Sequence, residues 1–160
     1  MLTPSMLDGA LAGGWFGAGL PDSVRQRLAG IAEVVNYPVG ATILREGAAV
    51  DTLGVVVEGR VAIRLYVPGR GIQTILTVET GDLIGWSSVV PPHRSTSTVI
   101  TLEPTTIITF HGPALRGAME ADPVLAAAVM SRILQAVVRR LSATRTQLLD
   151  LFAKSEGEPW

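Results

Sequence analysis

The residues with the clearest potential for binding chemistry lie between positions 81 and 98, in the segment GDLIGWSSVVPPHRSTST. This segment falls between predicted strands and is expected to form a loop with a short helical turn around Trp86–Val90. Gly85 is followed by the small residues Ser87 and Ser88, so backbone amides can converge there without obstruction by side chains. Converging amides form an anion-binding nest, and we expect these residues to contribute to one.

Arg94 follows this turn after a bend stiffened by two prolines, Pro91 and Pro92. A guanidinium group suits two phosphate oxygens at once, and the hydroxyls of Ser95 and Thr96 supply further donors. The residues therefore predict a phosphate-sized anion pocket inside a β-structure. The same residues also fit an ordinary loop, because glycine and proline punctuate loops and a lone arginine is usually a solvated surface charge.

Side chains suited to catalysis or metal binding are scarce in the rest of the chain. There are no cysteines, which excludes disulfides, thiolate metal sites and cysteine nucleophiles. The two histidines, His93 and His111, belong to no cluster with metal-ligand spacing, so no metal site is predicted. Ser87 and Ser88 have no recognisable general base nearby. We therefore predict that the protein is not an enzyme and has no covalently bound cofactor.

Charge and hydropathy limit the partners of the chain. It has 160 residues, a formal net charge of -1 and 48% hydrophobic residues, enough for one domain with a substantial core. The basic residues are spread along the chain rather than gathered in a stripe, which argues against direct DNA binding. Asp8 interrupts the first apolar stretch, so no signal peptide is predicted, and no apolar run reaches membrane-spanning length. We expect a cytoplasmic protein that does not contact a membrane.

Hydrophobic periodicity divides the chain into three regimes that form one domain over residues 1–152. Residues 1–31 are predicted to form N-terminal helices, including an amphipathic one in LPDSVRQRLAGIA. Residues 32–110 contain short β-branched segments with a period of two, separated by turn signals such as EGR and PGRG. Residues 111–152 return to helical spacing, and residues 153–160 form a polar, flexible tail. The predicted fold class is mainly β with flanking helices, a β-roll of the jelly-roll type.

The long helix predicted over residues 123–152 has two apolar faces. Asp122 is expected to cap its start, with Pro123 at the first helical position. One face has coiled-coil spacing along Leu134, Val137, Leu141, Thr144, Leu148 and Leu151. Residues off that seam are expected to pack on the roll: Val129, Ile133, Val138 and Phe152. The arginines are expected to form a solvated face with ion pairs: Arg132, Arg139, Arg140 and Arg145. Because two apolar faces need two partners, we predict a homodimer formed through this helix.

The segment that begins at residue 81 resembles the phosphate-binding cassette of cyclic-nucleotide-binding domains in the catabolite activator (Crp/Fnr-like) family. The matching residues are Gly81, Asp82, Ile84 and Gly85 in its first half, and Arg94 and Ser95 in its second. Turn glycines in YPVGATI, REG and EGRV also fall where that fold has them. RRLSAT, residues 139–144, is similar to the start of the family's adenine-contacting stretch on the long helix. The resemblance covers nearly the whole chain and implies a cyclic nucleotide, cyclic AMP or cyclic GMP, as ligand.

Two features depart from the family pattern. The cassette glutamate, which in the family binds the ribose 2′-hydroxyl, is matched here by Trp86, whose indole only donates a hydrogen bond. The loop to Arg94 is also shorter than in the activator. The resemblance therefore implies that the phosphate half of the site, with Arg94, is kept and that the ribose half is lost. Trp86 either stacks on a ligand ring, plugs the pocket or faces a partner protein. Thr144 either reaches a ligand base at the dimer interface, as in the family, or is a polar residue tolerated in the seam.

These observations leave two functions open. The first is a regulatory sensor that binds a cyclic nucleotide or another small phosphorylated ligand and signals through its helical dimer. Its expected ligand contacts are Gly85, Trp86, Ser87, Ser88, Arg94, Ser95, Thr96 and Thr144. The second is a dimer with a degenerate, ligand-free pocket that docks onto a partner protein. The family's regulators carry a helix-turn-helix after the long helix, whereas only about eight residues follow Phe152 here, so a stand-alone form without direct DNA binding is expected.

Overall fold

Eight strands form where the sequence has a period of two. The structure is a computed structural model that describes residues 2–155. The strands are β1 (Ala32–Tyr37), β2 (Thr42–Leu44), β3 (Thr52–Glu58), β4 (Val61–Val67), β5 (Gly71–Val78), β6 (Leu83–Ile84), β7 (Thr98–Thr101) and β8 (Thr105–His111). They form two four-stranded antiparallel sheets with the orders β1-β8-β3-β6 and β2-β7-β4-β5. The predicted β-roll is confirmed.

The two sheets enclose an aliphatic interior. Strand alternation sends one set of side chains inward, and its buried members are Val56, Val61, Ile63, Val78, Ile84, Val99 and Ile107. The opposite face of the β1-β8-β3-β6 sheet carries a second buried set, which includes Leu53, Val55, Ile108 and Phe110 and packs against the helices. The protein therefore has an interior core within the roll and a second core between this sheet and the helices.

Four helices contribute to the second core: α1 (Pro4–Gly13), α2 (Asp22–Gly30), α3 (Gly112–Ala121) and α4 (Pro123–Ser155). The predicted N-terminal helices are confirmed, and Val24 and Leu28 of α2 are buried as their spacing implies. Phe16, between α1 and α2, places its ring centroid 5.6 Å from that of Phe110 on β8. The N-terminal segment is thus packed onto the sheet rather than appended to it.

Asp122 caps helix α4 as predicted. Its Oδ1 accepts hydrogen bonds from the amides of Val124 at 3.0 Å and Leu125 at 3.2 Å. Its Oδ2 accepts a further bond of 2.8 Å from Arg27 on α2. The hydrogen bond from the Leu125 amide is the main cause of a lowered pKa of Asp122, and Arg27 lowers it further. The cap therefore defines the start of α4 and ties it to α2.

Helix α4 is packed along its first half and exposed along its second. The residues buried in the second core are Leu125, Val129, Ile133 and Ala136, whereas all residues from Leu141 to Lys154 are exposed. The helix also continues to Ser155, past the predicted end at residue 152. The first residues of the predicted tail are therefore helical, and residues 156–160 lie outside the described residues.

The exposed apolar stripe of α4 differs from the predicted seam. Val137 is half-buried against the second core, whereas its neighbour Val138 is 53% exposed. Phe152 is 63% exposed, so the prediction that Val138 and Phe152 pack on the roll is wrong. In this sequence a seven-residue repeat of apolar residues can be traced along two neighbouring stripes of α4. Which of the two stripes is exposed depends on where the roll packs against the helix. The exposed set, here called the outer stripe, is Leu134, Val138, Leu141, Leu148 and Phe152.

Candidate ligand-binding site

The predicted cassette turn forms at the end of strand β6. Gly85 adopts the left-handed conformation with φ of +75°, and Trp86–Ser88 then form one turn of 3-10 helix. A Cβ at Gly85 would collide with the carbonyl oxygen of Thr52 on β3. Only glycine therefore lets the chain turn this close to the neighbouring strand, and the turn is held against the roll.

Ser87 and Ser88 are buried and build the turn itself. The amide and the Oγ of Ser88 both donate to the carbonyl oxygen of Gly85, at 3.0 Å and 2.8 Å. The carbonyl oxygen of Ser87 lies 2.8 Å from Nδ1 of His93. The first two amides of the turn, those of Trp86 and Ser87, have no acceptor within the turn and are the donors that an anion could use.

The second half of the cassette is hydrogen-bonded to the loop between β2 and β3. The Gly47 amide donates to the carbonyl oxygen of Ser95 at 2.8 Å, and Ser95 Oγ donates to the carbonyl oxygen of Ser97. Thr96 is exposed, and so is Arg94, whose Nη1 donates to the carbonyl oxygen of Gly47 at 2.9 Å. In this structure the Arg94 guanidinium contacts the Gly47 carbonyl, and its contact with a phosphate at the turn stays a prediction. The arginine side chain is long and has five donors, so its partner is the acceptor that lies nearest in space. The spacing of residues along the sequence does not predict which acceptor that is.

Trp86 turns toward helix α4. The Arg140 guanidinium lies over its ring, with 4.5 Å between Cζ and the ring centroid, and the indole packs against the second core. Arg140 Nη2 donates to the carbonyl oxygen of Leu83 at 2.8 Å and lies 4.0 Å from Oδ2 of Asp82. We call these four residues the Arg140 clamp. The indole thus contacts an arginine of its own chain, and the three roles predicted for Trp86 stay predictions.

Arg140 is the site residue that the sequence pattern did not single out. Its side chain is only 16% exposed, so the prediction of a solvated arginine face is wrong for this residue. Burial lowers the pKa of Arg140, and the Asp82 carboxylate opposes that shift. The position of Arg140 on α4 is the sequence signal that could have predicted its burial. The buried stripe of α4 runs through Leu125, Val129, Ile133 and Ala136, and Arg140 lies four residues further along it.

Two further arginines of α4 are tied to the N-terminal segment. Arg139 places its Cζ 3.9 Å from the ring centroid of Trp15 and its Nη2 3.6 Å from Asp82. Arg132 Nε donates to the carbonyl oxygen of Phe16 at 3.0 Å. Together with the Arg140 clamp, these contacts join the N-terminal segment, the start of the cassette and the middle of α4.

Thr144 lies in a groove between α4 and β5. Its hydroxyl donates to the carbonyl oxygen of Arg140 at 2.8 Å, a local bond within the helix. The groove has a volume of about 290 Å³, and Thr74, Ile75 and Leu148 are among the residues that line it with Thr144. The structure therefore places Thr144 beside the β4–β5 hairpin, and its contact with a ligand base stays a prediction.

The described site offers backbone amides, hydroxyls and guanidinium groups, a set that suits anions. Among residues 2–155, no group of three or more His, Asp or Glu side chains is arranged to hold a metal ion. In the same part of the chain, no helix combines the length and the apolar composition needed to cross a bilayer.

The chain combines a β-roll and a glycine-led turn with N-terminal helices and one long C-terminal helix. The model of the cyclic nucleotide-binding domain family matches residues 34–122, and the chain belongs to this family. The matched residues run from β1 to the end of α3 and contain the whole cassette. The membership expected from the cassette and turn glycines is thereby confirmed.

Individual relatives agree with this assignment. A CRP-like cAMP-activated global transcriptional regulator from Mycobacterium tuberculosis is 29% identical over 118 residues, which cover 73% of this chain and 50% of the regulator. A Geobacter metallireducens structure described as a cyclic nucleotide-binding protein is 28% identical with a TM-score of 0.75, covering 88% of this chain and 99% of that one. A cyclic nucleotide-binding domain from Methylobacillus flagellatus, 22% identical with a TM-score of 0.77, covers 98% of this chain and 86% of its own, and supports the fold. The chain thus spans half the length of the curated regulator.

Proposed function

We propose that this chain is a sensor that binds cyclic AMP, cyclic GMP or another small phosphorylated molecule at the cassette and transmits binding to helix α4. Membership of the family supports a cyclic nucleotide as ligand class. The regulator from Mycobacterium tuberculosis to which the chain is similar is described as cAMP-activated. The observation that carries the proposal is the Arg140 clamp, because it joins the cassette turn directly to the long helix.

The phosphate is proposed to bind the amides of Trp86 and Ser87, with Arg94 closing from the second half of the cassette, which precedes β7. Arg94 now makes a single bond to the carbonyl oxygen of Gly47 at an exposed position. A guanidinium can instead form two parallel bonds to a phosphate, and a pairing of opposite charges is stronger than a bond to a neutral carbonyl. We therefore expect the Arg94 guanidinium to exchange the Gly47 carbonyl oxygen for a phosphate when one binds.

Trp86 is proposed to lack the ribose contact that the family's glutamate makes. Its indole N–H only donates, and its ring is engaged by Arg140. A charge-assisted acceptor contact contributes about 1.5–3 kcal/mol. We therefore expect cyclic AMP to bind about ten- to a hundredfold more weakly than to a site that keeps the acceptor.

The signal is proposed to pass from the turn to α4 through the Arg140 clamp. The carbonyl of Leu83 and the ring of Trp86 lie on either side of Gly85, so a ligand that shifts the turn also shifts both partners of Arg140. Helix α4 has no buried residue beyond Arg140 up to Lys154, so we expect a movement of Arg140 to shift this exposed half against its groove with β5. Binding would thus change the direction of the outer stripe.

Removal of the Arg94 guanidinium tests the phosphate site. In titration calorimetry with cyclic AMP, we expect Arg94→Ala to lower the affinity at least tenfold, because a charge-assisted contact is lost. Arg60→Ala is the matched control, since Arg60 precedes β4 at the far end of β3 and pairs with Glu103 at 3.7 Å; its affinity should stay within twofold. Absence of binding of cyclic AMP, cyclic GMP and related small phosphates by the unaltered chain would contradict the proposal.

The sensor is proposed to act as a homodimer through the outer stripe of α4. The outer stripe has coiled-coil spacing, with steps of four, three, seven and four residues from Leu134 to Phe152, and its side chains are exposed. Leu141→Glu should shift sedimentation velocity from dimer to monomer, because it places like charges at the centre of the seam. Thr146→Glu introduces the same charge on α4 outside the stripe and should leave the dimer intact. A monomeric unaltered chain would refute this part of the proposal.

A second candidate function is a ligand-free interaction module that docks onto a partner protein. It is favoured by the exposed position of Arg94 and its bond to Gly47. This candidate predicts a dimer whose melting temperature does not change with cyclic nucleotides. It also predicts that Trp86→Glu, which restores an acceptor beside Arg140, gains cyclic AMP binding that the unaltered chain lacks.

A further inference from the structure

His93 lies where the two halves of the cassette meet and has an unusual backbone conformation. Its φ is +59°, and every other residue with a positive φ between positions 2 and 155 is a glycine. Left-handed backbone is disfavoured for a residue with a Cβ, and histidine is one of the few types found there. Such a conformation persists only where the surrounding contacts hold it. The contacts of His93 therefore show what this part of the chain fixes in place.

The backbone of His93 fixes the second half of the cassette to the roll. Its carbonyl oxygen accepts a hydrogen bond of 2.8 Å from the amide of Val50, which lies in the loop between β2 and β3. The next residue, Arg94, forms a β-bridge with Ala49 of the same loop. The position from which the Arg94 side chain starts is therefore set by the pairing of these two segments.

The imidazole of His93 reaches the first half of the cassette. Its Nδ1 lies 2.8 Å from the carbonyl oxygen of Ser87, a buried residue of the 3-10 turn. A carbonyl oxygen only accepts, so Nδ1 must carry the hydrogen of this bond. One residue thus contacts the turn through its side chain and the β2–β3 loop through its backbone.

Pro91 explains why the Ser87 carbonyl needs a side-chain donor. In a continuing helix this oxygen would accept from the amide three or four residues further on. The Val90 amide donates instead to the carbonyl oxygen of Trp86 at 3.0 Å, and Pro91 has no N–H. His93 therefore supplies the hydrogen bond that the backbone at this point does not make.

We propose that His93 is a positioning residue of the cassette, whose Nδ1–H holds the turn in the conformation that binds the phosphate. The ligand in this inference rests on the proposed function. Without the donor, the carbonyl of a buried residue is left unpaired, and an opened turn in which water reaches this oxygen becomes more favourable. The amides of Trp86 and Ser87, which are proposed to bind the phosphate, belong to the same turn and would move with it. His93 thus acts on the ligand through the turn.

The hydrogen bond itself is tested without any ligand. In two-bond proton–nitrogen correlation spectra at a pH where both imidazoles are neutral, His93 should show the tautomer with the hydrogen on Nδ1. His111 is the control, because it is exposed and its side chain makes no hydrogen bond within residues 2–155. It should show the Nε2–H form that the free side chain prefers. An Nε2–H tautomer at His93 would overturn the proposal.

His93→Asn and His93→Gly separate the donor from the backbone conformation. Both new residues accept a left-handed φ, but only asparagine keeps a donor nitrogen on Cγ. In calorimetry with cyclic AMP, His93→Gly should lower the affinity about tenfold, whereas His93→Asn should stay within about threefold of the unaltered chain. The amide of Ser88, which donates within the turn to Gly85, should exchange with solvent about tenfold faster in the glycine variant than in the asparagine variant.

The outcomes separate a positioning role from a purely structural one. A structural histidine would lower the melting temperature in His93→Gly and leave the affinity unchanged, which would overturn the proposal. Equal affinities and exchange rates in the two variants would also overturn it, because the donor would then make no difference. His111→Asn should leave the affinity within about twofold. If the unaltered chain binds no cyclic AMP, cyclic GMP or related small phosphate, the proposed function fails, while the tautomer and the Ser88 exchange rates still decide whether His93 holds the turn.

Discussion

Gly85→Ala is expected to lower the free energy of unfolding by about 3 kcal/mol or more. A left-handed φ costs a residue with a side chain about 1–2 kcal/mol, and the added Cβ also collides with the backbone oxygen of Thr52. That oxygen belongs to a paired strand, so relief requires distortion of β3 or of the cassette turn. Urea unfolding followed by circular dichroism measures the loss, at one protein concentration because the proposed dimer would contribute to stability.

Gly19→Ala is the matched control for this prediction. Gly19 has the same φ of +75°, but an added Cβ would meet no atom within 4 Å. Its substitution should therefore cost only the backbone term, about 1–2 kcal/mol. Equal losses in the two variants would show that the close contact with Thr52 does not hold the turn.

Arg140→Ala is expected to destabilise the protein by about 2–3 kcal/mol. The variant loses the contact with the Trp86 ring, which contributes about 0.5–2 kcal/mol. It also removes the donor to the carbonyl oxygen of Leu83, a fully buried residue, and leaving a buried acceptor unpaired costs about 1–3 kcal/mol. Urea unfolding measures the total, and a change in the tryptophan emission reports the loss of the charge over the Trp86 ring.

Arg145→Ala controls for the loss of an exposed arginine from the same helix. Arg145 has no hydrogen bond or ion pair to another residue in the described range 2–155, so its removal should change stability by less than about 0.5 kcal/mol. A double-mutant cycle of Arg140→Ala with Trp86→Leu should give a coupling energy of about 1 kcal/mol. Additive effects of these two substitutions would mean that the ring and the guanidinium do not stabilise one another.

The strands of the roll, its turns and the start of α4 could be predicted, because each is determined by residues that are close together in the sequence. The alternation of Val61 and Ile63 with their neighbours reports a strand with one face inside, and both are buried there. Gly59 has a φ of +98°, as the turn signal EGR implies. Asp122 and Pro123 mark the start of α4 with the residue types that helix starts require. Each of these features depends on a few consecutive residues.

The side-chain partners at the site could not be predicted, because they depend on contacts between distant parts of the chain. Trp86 and Arg140 meet only once α4 has packed beside β6, and no spacing rule relates them. Arg94 is at a cassette position, yet the orientation of its guanidinium is decided by an acceptor on the β2–β3 loop. Val137 is half-buried and Val138 is exposed. Which of the two is buried likewise depends on where the roll touches a helix that is apolar on both sides.

The end of burial at Arg140 gives α4 the geometry of a lever arm. At a rise of ~1.5 Å per residue, the segment Leu141–Ser155 extends ~22 Å beyond Arg140, the last largely buried side chain of the helix. A tilt of ~10° about that fulcrum, with the same rise, would displace the tip by ~4 Å. If α4 carries the signal as proposed, rearrangements at the Leu83 carbonyl too small to alter the sheets would be magnified at the far end of the helix.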